Sequence, residues 1–264
     1  MITCPTPEMD TTASPVLIVE ALNVSFTSET GKLEALEDVS FDLYPQEFLC
    51  IIGPSGSGKS SLLRTLAGLV QPESGKITYA PGLAQRRKVA LVFQQANLMP
   101  WRTAIENITL PLELEGVPRE EACRRAQAWI ERVGLQGFEQ EYPANLSGGM
   151  AQRVAIARSL IQQPDLVLLD EPFGSLDALT RERMAAELLT LWQEQRMTVL
   201  MVTHSISEAV LLADRVLVFS PRPARICREV KVNLPRPRHD EMRYTPEFSA
   251  LARQLRAAIS EPNW

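Results

Sequence analysis

The sequence predicts an α/β fold: a mixed, largely parallel sheet with helices on both faces, carrying an N-terminal antiparallel β part and an inserted helical subdomain. Three observations carry that reading. Fully apolar runs such as Phe48-Leu49-Cys50-Ile51-Ile52 and Leu166-Val167-Leu168-Leu169 suit parallel strands covered on both sides. The first of them runs into Gly53-Pro54-Ser55-Gly56-Ser57-Gly58-Lys59-Ser60, which opens a helical pattern bearing Leu62, Leu63, Leu66 and Leu69 on one face. From Gln95 to about Leu146 the pattern becomes wholly helical before strands resume.

Taken in order, residues 1 to about 14 read as a loose tail rich in Thr, Pro and Asp. Val16 to Val24 and Val39 to Leu43 read as strands around the turn-like Thr27–Lys32, with Phe26 ending the first. Gly75 to Tyr79 and Val89 to Phe93 are further strands, the second leading directly into Gln94. Thr103 and Glu106 have the spacing of a capping box. Pro118 starts a longer helix, with Ala122, Ala126, Trp129, Ile130 and Val133 at helical spacing and Gly134 as its stop. Beyond residue 164 come a strand at Leu166, a helix from Ala178 to Gln195, a strand Thr198 to Thr203, a helix Ile206 to Ala213 and a strand Arg215 to Phe219. Ser220–Pro223 and Leu234-Pro235-Arg236-Pro237-Arg238 read as turn or extended segments. Thr245-Pro246 then reads as N-cap and first residue of a terminal helix bearing Phe248, Leu251, Leu255 and Ile259. The whole reads as one domain: 1–94 β part and glycine loop, 95–163 helical subdomain, 164–225 second part of the core, 226–264 tail.

Composition narrows the function classes. The 264 residues, 45 % hydrophobic and 22 % charged, suffice for a large core. A net charge of −5 and a pI near 5.3 leave no basic excess for nucleic acid. Cys4, Cys50, Cys123 and Cys227 lack metal-type spacing and read as reduced thiols of a cytosolic protein. The N-terminus has no signal-peptide pattern, and no apolar run approaches the roughly 20 residues a membrane span needs. A membrane function would require a partner to supply the pore.

The glycine-rich loop has the physics of a phosphate cradle. Its glycines let successive N–H groups turn inward, and the following helix adds partial positive charge. Lys59 would reach β- and γ-phosphates and the Ser60 hydroxyl would ligate Mg²⁺, with Ser61 counted among the binding residues; the chain is expected to bind a nucleoside triphosphate with Mg²⁺. Parallel α/β sheets bind ligands at the carboxyl ends of their strands, and three polar groups fall there. Asp170 is placed to hold Mg²⁺, directly or through water, and Glu171 to orient or deprotonate the attacking water. His204 ends another strand, within hydrogen-bonding reach of a γ-phosphate, and Ser205-Ile206-Ser207-Glu208 has capping-box spacing after it. Ser147, Gly148 and Gly149 open a helix with Met150, Val154, Ala157 and Ile161 on one face, a second anion site at a helix terminus. Two such sites suggest head-to-tail pairing of two copies across shared nucleotides. His239, among prolines and arginines, receives no role.

These motifs, in this order and spacing, resemble the nucleotide-binding subunit of ATP-binding cassette (ABC) transporters over about residues 16 to 225. They are the loop Gly53–Ser60, Gln94 after a strand, Leu146-Ser147-Gly148-Gly149, Leu166 to Glu171, Ser175-Leu176-Asp177 and Thr203-His204. The resemblance implies that Phe26 stacks on adenine, where tyrosine is more usual, and that Gln94 reaches the metal or water and senses the membrane partner. It implies that Glu171 is the general base, that Ser147 and Gly149 contact the γ-phosphate held by a second copy, and that Asp177 crosses the dimer interface. Met150 replaces the usual glutamine of the signature, whose phosphate contacts come from Ser147 and backbone N–H groups, and Ser205 replaces a common aspartate, where serine also N-caps. Phe93–Trp101, Glu171–Arg181 and Ser220–Pro223 further resemble the nitrate/sulfonate/taurine-type branch of bacterial importers. That branch implies an ATPase working as a dimer at the cytoplasmic face of the membrane, with permease subunits and, indirectly, an extracytoplasmic solute-binding protein. Leu98, Met99 and Trp101 would meet the permease or pack within the helical lobe. The alternatives are an exporter or lipid-trafficking cassette, or a soluble ABC ATPase; the latter usually carries paired cassettes or coiled-coil insertions, absent here.

Overall fold

The computed structural model describes residues 14–28, 31–80, 89–174 and 176–260. Cys4, the middle of the expected turn at residues 29–30, and Ser175 lie outside them. The described strands form two sheets. The larger orders its strands β5-β6-β7-β3-β8-β9, namely β5 (Val89–Val92), β6 (Leu166–Asp170), β7 (Thr198–Thr203), β3 (Phe48–Ile52), β8 (Arg215–Phe219) and β9 (Ile226–Lys231). All pairs are parallel except the edge pair β8/β9. The smaller sheet is antiparallel, with β1 (Leu17–Ser28) between β2 (Gly31–Leu43) and β4 (Ser74–Tyr79).

Alternation along β3 separates two hydrophobic layers. Leu49 and Ile51 face Leu17, Leu22, Leu62, Leu63 and Leu66, between the antiparallel sheet and helix α1 (Lys59–Leu66). Phe48, Cys50 and Ile52 face the other way, toward Trp192, Val210 and Phe248. Both faces of the central strands are dry, which is why their sequences read as unbroken apolar runs.

Between β5 and β6 run α2 (Ala104–Leu114), α3 (Arg119–Arg132) and α4 (Gly148–Leu160). Thr103 and Glu106 make the reciprocal capping box expected of them. Asn107 is fully buried and binds the backbone of Met99, Arg102 and Thr103, so the turn before α2 is held from inside the helix. α5 (Ala178–Gln195), α6 (Ile206–Leu212) and α7 (Pro246–Ser260) complete the helical layer. α7 packs on the chain's own core through Phe248, Leu255 and Ala258, with the Thr245 hydroxyl accepting from Phe248 N–H.

Three local expectations change. β1 and β2 extend to Ser28 and from Gly31, so Phe26 lies inside a strand, paired opposite Leu33. Leu69 falls beyond the end of α1 and is exposed, because Gly68 turns the chain off the helix before that position can face the core. At α6 only half of the capping box forms: the Ser205 hydroxyl accepts from Glu208 N–H, but the Glu208 carboxylate takes a different partner, Thr203. No described helix is long and apolar enough to cross a membrane.

Candidate active site

Register explains why distant residues meet. Ile52 pairs with Thr203, Asp170 with Val202, and Leu169 with Val92. The carboxyl ends of four parallel strands are therefore level, and the next residues in the chain crowd one edge of the sheet.

The glycine loop leaves β3 at that edge. A Cβ on Gly53 would lie 2.9 Å from both Cβ and O of Phe219, and one on Gly58 would lie 2.6 Å from the Ala35 carbonyl oxygen at a φ of +111°. Only glycine fits either position. Lys59 opens α1, is buried, and donates from Nζ to the carbonyls of Gly53 (3.0 Å) and Pro54 (2.9 Å). Burial holds its ammonium below the usual lysine range, while Glu171 and Asp170 pull it back up. The Ser57 hydroxyl is 1 % exposed and has no hydrogen-bond partner among the described residues. A buried hydroxyl without a partner in a glycine loop at a helix N-terminus fits a phosphate oxygen.

Beside the loop, Ser60 Oγ donates to Asp170 Oδ1 at 2.7 Å. Burial pushes the Asp170 carboxyl up, against the Ser60 hydrogen bond that lowers it. A hydroxyl and a carboxylate side by side are hard oxygen donors of the kind Mg²⁺ takes together with phosphate oxygens.

The next residue, Glu171, sits at φ +44°, a left-handed conformation costing about 1–2 kcal/mol for a residue with a Cβ. It is held there by Glu171 N–H donating to Val202 O and by Gly174 N–H donating to Glu171 O, each at 3.0 Å. That turn aims the carboxylate sideways. His204 Nδ1 lies 3.1 Å from Glu171 Oε2, and Gln94 Nε2 donates to the same oxygen at 3.4 Å. Three residues from three strand ends thus share one carboxylate oxygen.

The remaining predicted residues form separate groups. Ser147 caps α4 by accepting from Met150 N–H, and Asp177 caps α5 by accepting from Thr180 N–H. The Thr180 hydroxyl, and after it the Thr180 N–H, hold the Asp177 carboxyl below its usual range. The two helix starts are neighbours: a Cβ on Gly149 would lie 3.0 Å from Thr180 Cγ2, and one on Gly148 3.9 Å from Leu176. Among the described residues no hydrogen bond joins this group to the glycine loop. Phe26 stands on the hairpin with Leu33 opposite, an exposed apolar pair suited to stacking on a flat ring. Leu98 packs inward against the core, whereas Trp101 is 71 % exposed.

Sequence reading missed several supporting side chains. Arg222, beyond β8, donates from Nε to the Gly56 carbonyl at 2.9 Å and steadies the crest of the loop. Gln152 donates to Phe93 O, and Arg158 forks onto the carbonyls of Ala96 and Asn97, tying α4 to the segment on both sides of Gln94. Charge next to motif residues in sequence was the only available signal, and it names no partner.

Comparison with known proteins turns this geometry into an assignment. The model of the ABC transporter family matches residues 36–174, from β2 through the turn after Glu171. The nitrate import ATP-binding protein of a Synechocystis species is 45 % identical over 225 residues, covering 83 % of each chain. The chain belongs to the ABC transporter family. It is an ABC ATPase. Another relative of this ABC ATPase, the taurine import ATP-binding protein of Pelagibacter ubique, is 43 % identical over 226 residues and again 83 % of each chain. Among solved structures, a dimeric ATP-binding cassette in a post-hydrolysis state bound to ADP and Pi is similar at a TM-score of 0.71. It is 32 % identical and is matched over 83 % of this ABC ATPase and 99 % of that chain. The α/β class expected from the apolar runs and the glycine loop is therefore the fold the ABC ATPase has.

Proposed function

We propose that this chain is the ATP-hydrolysing subunit of an importer for a small solute of the nitrate, sulfonate or taurine type or a related one. The observation that carries the chemistry is the meeting of Gln94, Glu171 and His204 at one carboxylate oxygen, beside the Ser60–Asp170 pair. The names of the relatives, nitrate and taurine import proteins among them, support the direction of transport and the solute class.

In this reading Gly53 to Ser61 wrap the triphosphate and Lys59 leaves its carbonyls to meet the β- and γ-phosphates. Phe26 stacks on adenine. Ser60 and Asp170 would hold Mg²⁺, with Gln94 contributing, and the bound metal would neutralise charge developing on the phosphates. Glu171 takes the proton of the attacking water, and His204 donates to the γ-phosphate and steadies Glu171. Ser147, Gly148 and Gly149 of one copy close on the γ-phosphate in the other, with Asp177 at the seam. Lys59 and the opposing helix terminus each supply transition-state stabilisation of about 3 kcal/mol, as single preorganised donors do. Nucleotide thus favours the closed dimer, and hydrolysis removes the shared contact.

The engine works at the cytoplasmic face of the membrane, held there by a permease that meets the surface around Gln94 and the exposed Trp101. A solute-binding protein on the far side delivers cargo to that permease. Purifying the tagged chain from native membranes tests the assembly. A co-purifying integral membrane protein, with solute uptake lost when the chain is deleted, is the expected result. A chain recovered without any membrane protein, in cells whose uptake of nitrate, sulfonates and taurine is intact on its deletion, ends the proposal.

A further inference from the structure

Glu208 is a buried carboxylate that the chemistry above does not use. It is 5 % exposed, and burial pushes its carboxyl up against the opposing pull of Thr203, Arg181, His204 and Arg243. Burying a carboxylate is costly unless it is paired and hydrogen-bonded. The half-formed cap of α6 shows where those bonds go. Glu208 Oε2 accepts from the Thr203 hydroxyl at 2.6 Å, and Thr203 Oγ1 accepts in turn from Ser205 N–H at 3.0 Å. The residues on both sides of His204 are therefore pinned through one carboxylate. His204 itself has a side chain 46 % exposed, so its backbone, more than packing, decides where the imidazole points.

The other carboxylate oxygen faces a second loop. Arg181 Nε lies 3.9 Å from Glu208 Oε1 and donates to Phe173 O at 3.3 Å, while Nη2 donates to Leu176 O at 3.0 Å. Asp177 follows directly. One guanidinium thus grips the segment leading to Asp177 and reaches the carboxylate that sets His204.

We propose that Glu208 and Arg181 are positioning residues that join the His204 turn to the loop ending at Asp177, so that seam and γ-phosphate contact move as one unit. This rests on the roles given above to His204 and Asp177, and predicts an effect on turnover that runs through His204. A merely structural Glu208 would lower rates independently of that histidine.

The test is single-turnover and steady-state ATP hydrolysis by the full chain carrying Glu208→Gln, His204→Ala and both together. Thr203→Val, nearly isosteric in its strand, repeats the cycle should Glu208→Gln fold poorly by circular dichroism. Glu208→Gln or Thr203→Val is expected to lower kcat about tenfold, with KM for ATP within about twofold. On the His204→Ala background neither should lower it further, and Arg181→Met combined with Glu208→Gln should be no slower than the slower single variant. An equal loss of kcat with and without His204, or no loss from either change, overturns the proposal while leaving the role of His204 intact. A His204→Ala chain with full kcat removes that role, and this inference with it.

Discussion

Replacing Glu171 by glutamine removes a proton acceptor and leaves the shape of the site unchanged. The residue holds its place through its backbone, at φ +44° with Val202 O and Gly174 N–H as partners, and glutamine keeps both bonds. An amide can also still meet His204 Nδ1 and Gln94 Nε2, so folding and ATP binding should survive. In the role proposed for Glu171, what disappears is general-base catalysis, worth roughly 100- to 10,000-fold in rate. At 1.36 kcal/mol for each factor of ten, the barrier should rise by about 3–5 kcal/mol. Lys59, Ser60, Asp170 and the glycine loop are untouched, so the dissociation constant for ATP should stay within about threefold. Phosphate release measures kcat, nucleotide titration measures affinity, and light scattering with Mg-ATP should show a dimer that no longer reopens. Hydrolysis above roughly a tenth of the wild-type rate, or a chain that stays monomeric under saturating Mg-ATP, refutes the reasoning.

Ser147→Arg places a long cation at the start of α4 and should prevent the ATP-dependent dimer while leaving ATP binding to the monomer unchanged; a dimer seen by light scattering counts against a shared γ-phosphate. Gly58→Ala puts a methyl 2.6 Å from Ala35 O at a left-handed φ, and should lower stability by about 1–3 kcal/mol in denaturant titration and abolish nucleotide binding. Asp170→Asn should stop Mg²⁺-dependent turnover yet raise the melting temperature at pH 7. Burial lifts the Asp170 carboxyl above its usual range, so the folded chain holds that proton more tightly than the unfolded one, and this stability is present in acid and lost as pH rises. The advantage of asparagine should therefore shrink as pH falls toward the ordinary carboxylate range; an advantage constant with pH contradicts the assignment. Arg238→Met leaves the carbonyls of Val210, Leu211, Ala213, Val232 and Leu234 without their donor. With each stranded acceptor costing about 1–3 kcal/mol, calorimetry should show a loss of at least about 3 kcal/mol.

Local patterns were legible from the residues alone because their physics is local. Gly53 to Ser60 between a strand and a helix, the apolar runs at β3 and β6, and the caps at Thr103, Ser147 and Thr245 each depend on neighbours within a few positions. The place of Glu171 and His204 at strand ends followed from the apolar runs at Leu166 and at Thr198–Thr203. Their meeting at one oxygen was decided by the register that levels β5, β6, β7 and β3.

Partner choice across long separations belonged to the tertiary structure. Capping spacing paired Glu208 with the Ser205 backbone; in the folded chain a buried hydroxyl at Thr203 and the guanidinium of Arg181 draw that carboxylate inward instead. Arg222 reaches Gly56 across 166 positions, and Arg238 gathers five carbonyls around the end of α6. A long cationic side chain carries no periodic signature, because its donors serve whichever unpaired carbonyl the packing leaves within reach. The sequence by itself thus determined the chemistry available to this ATPase. Only the folded chain decided how that chemistry is aimed, since aim depends on strand register and on the pairing of buried polar groups.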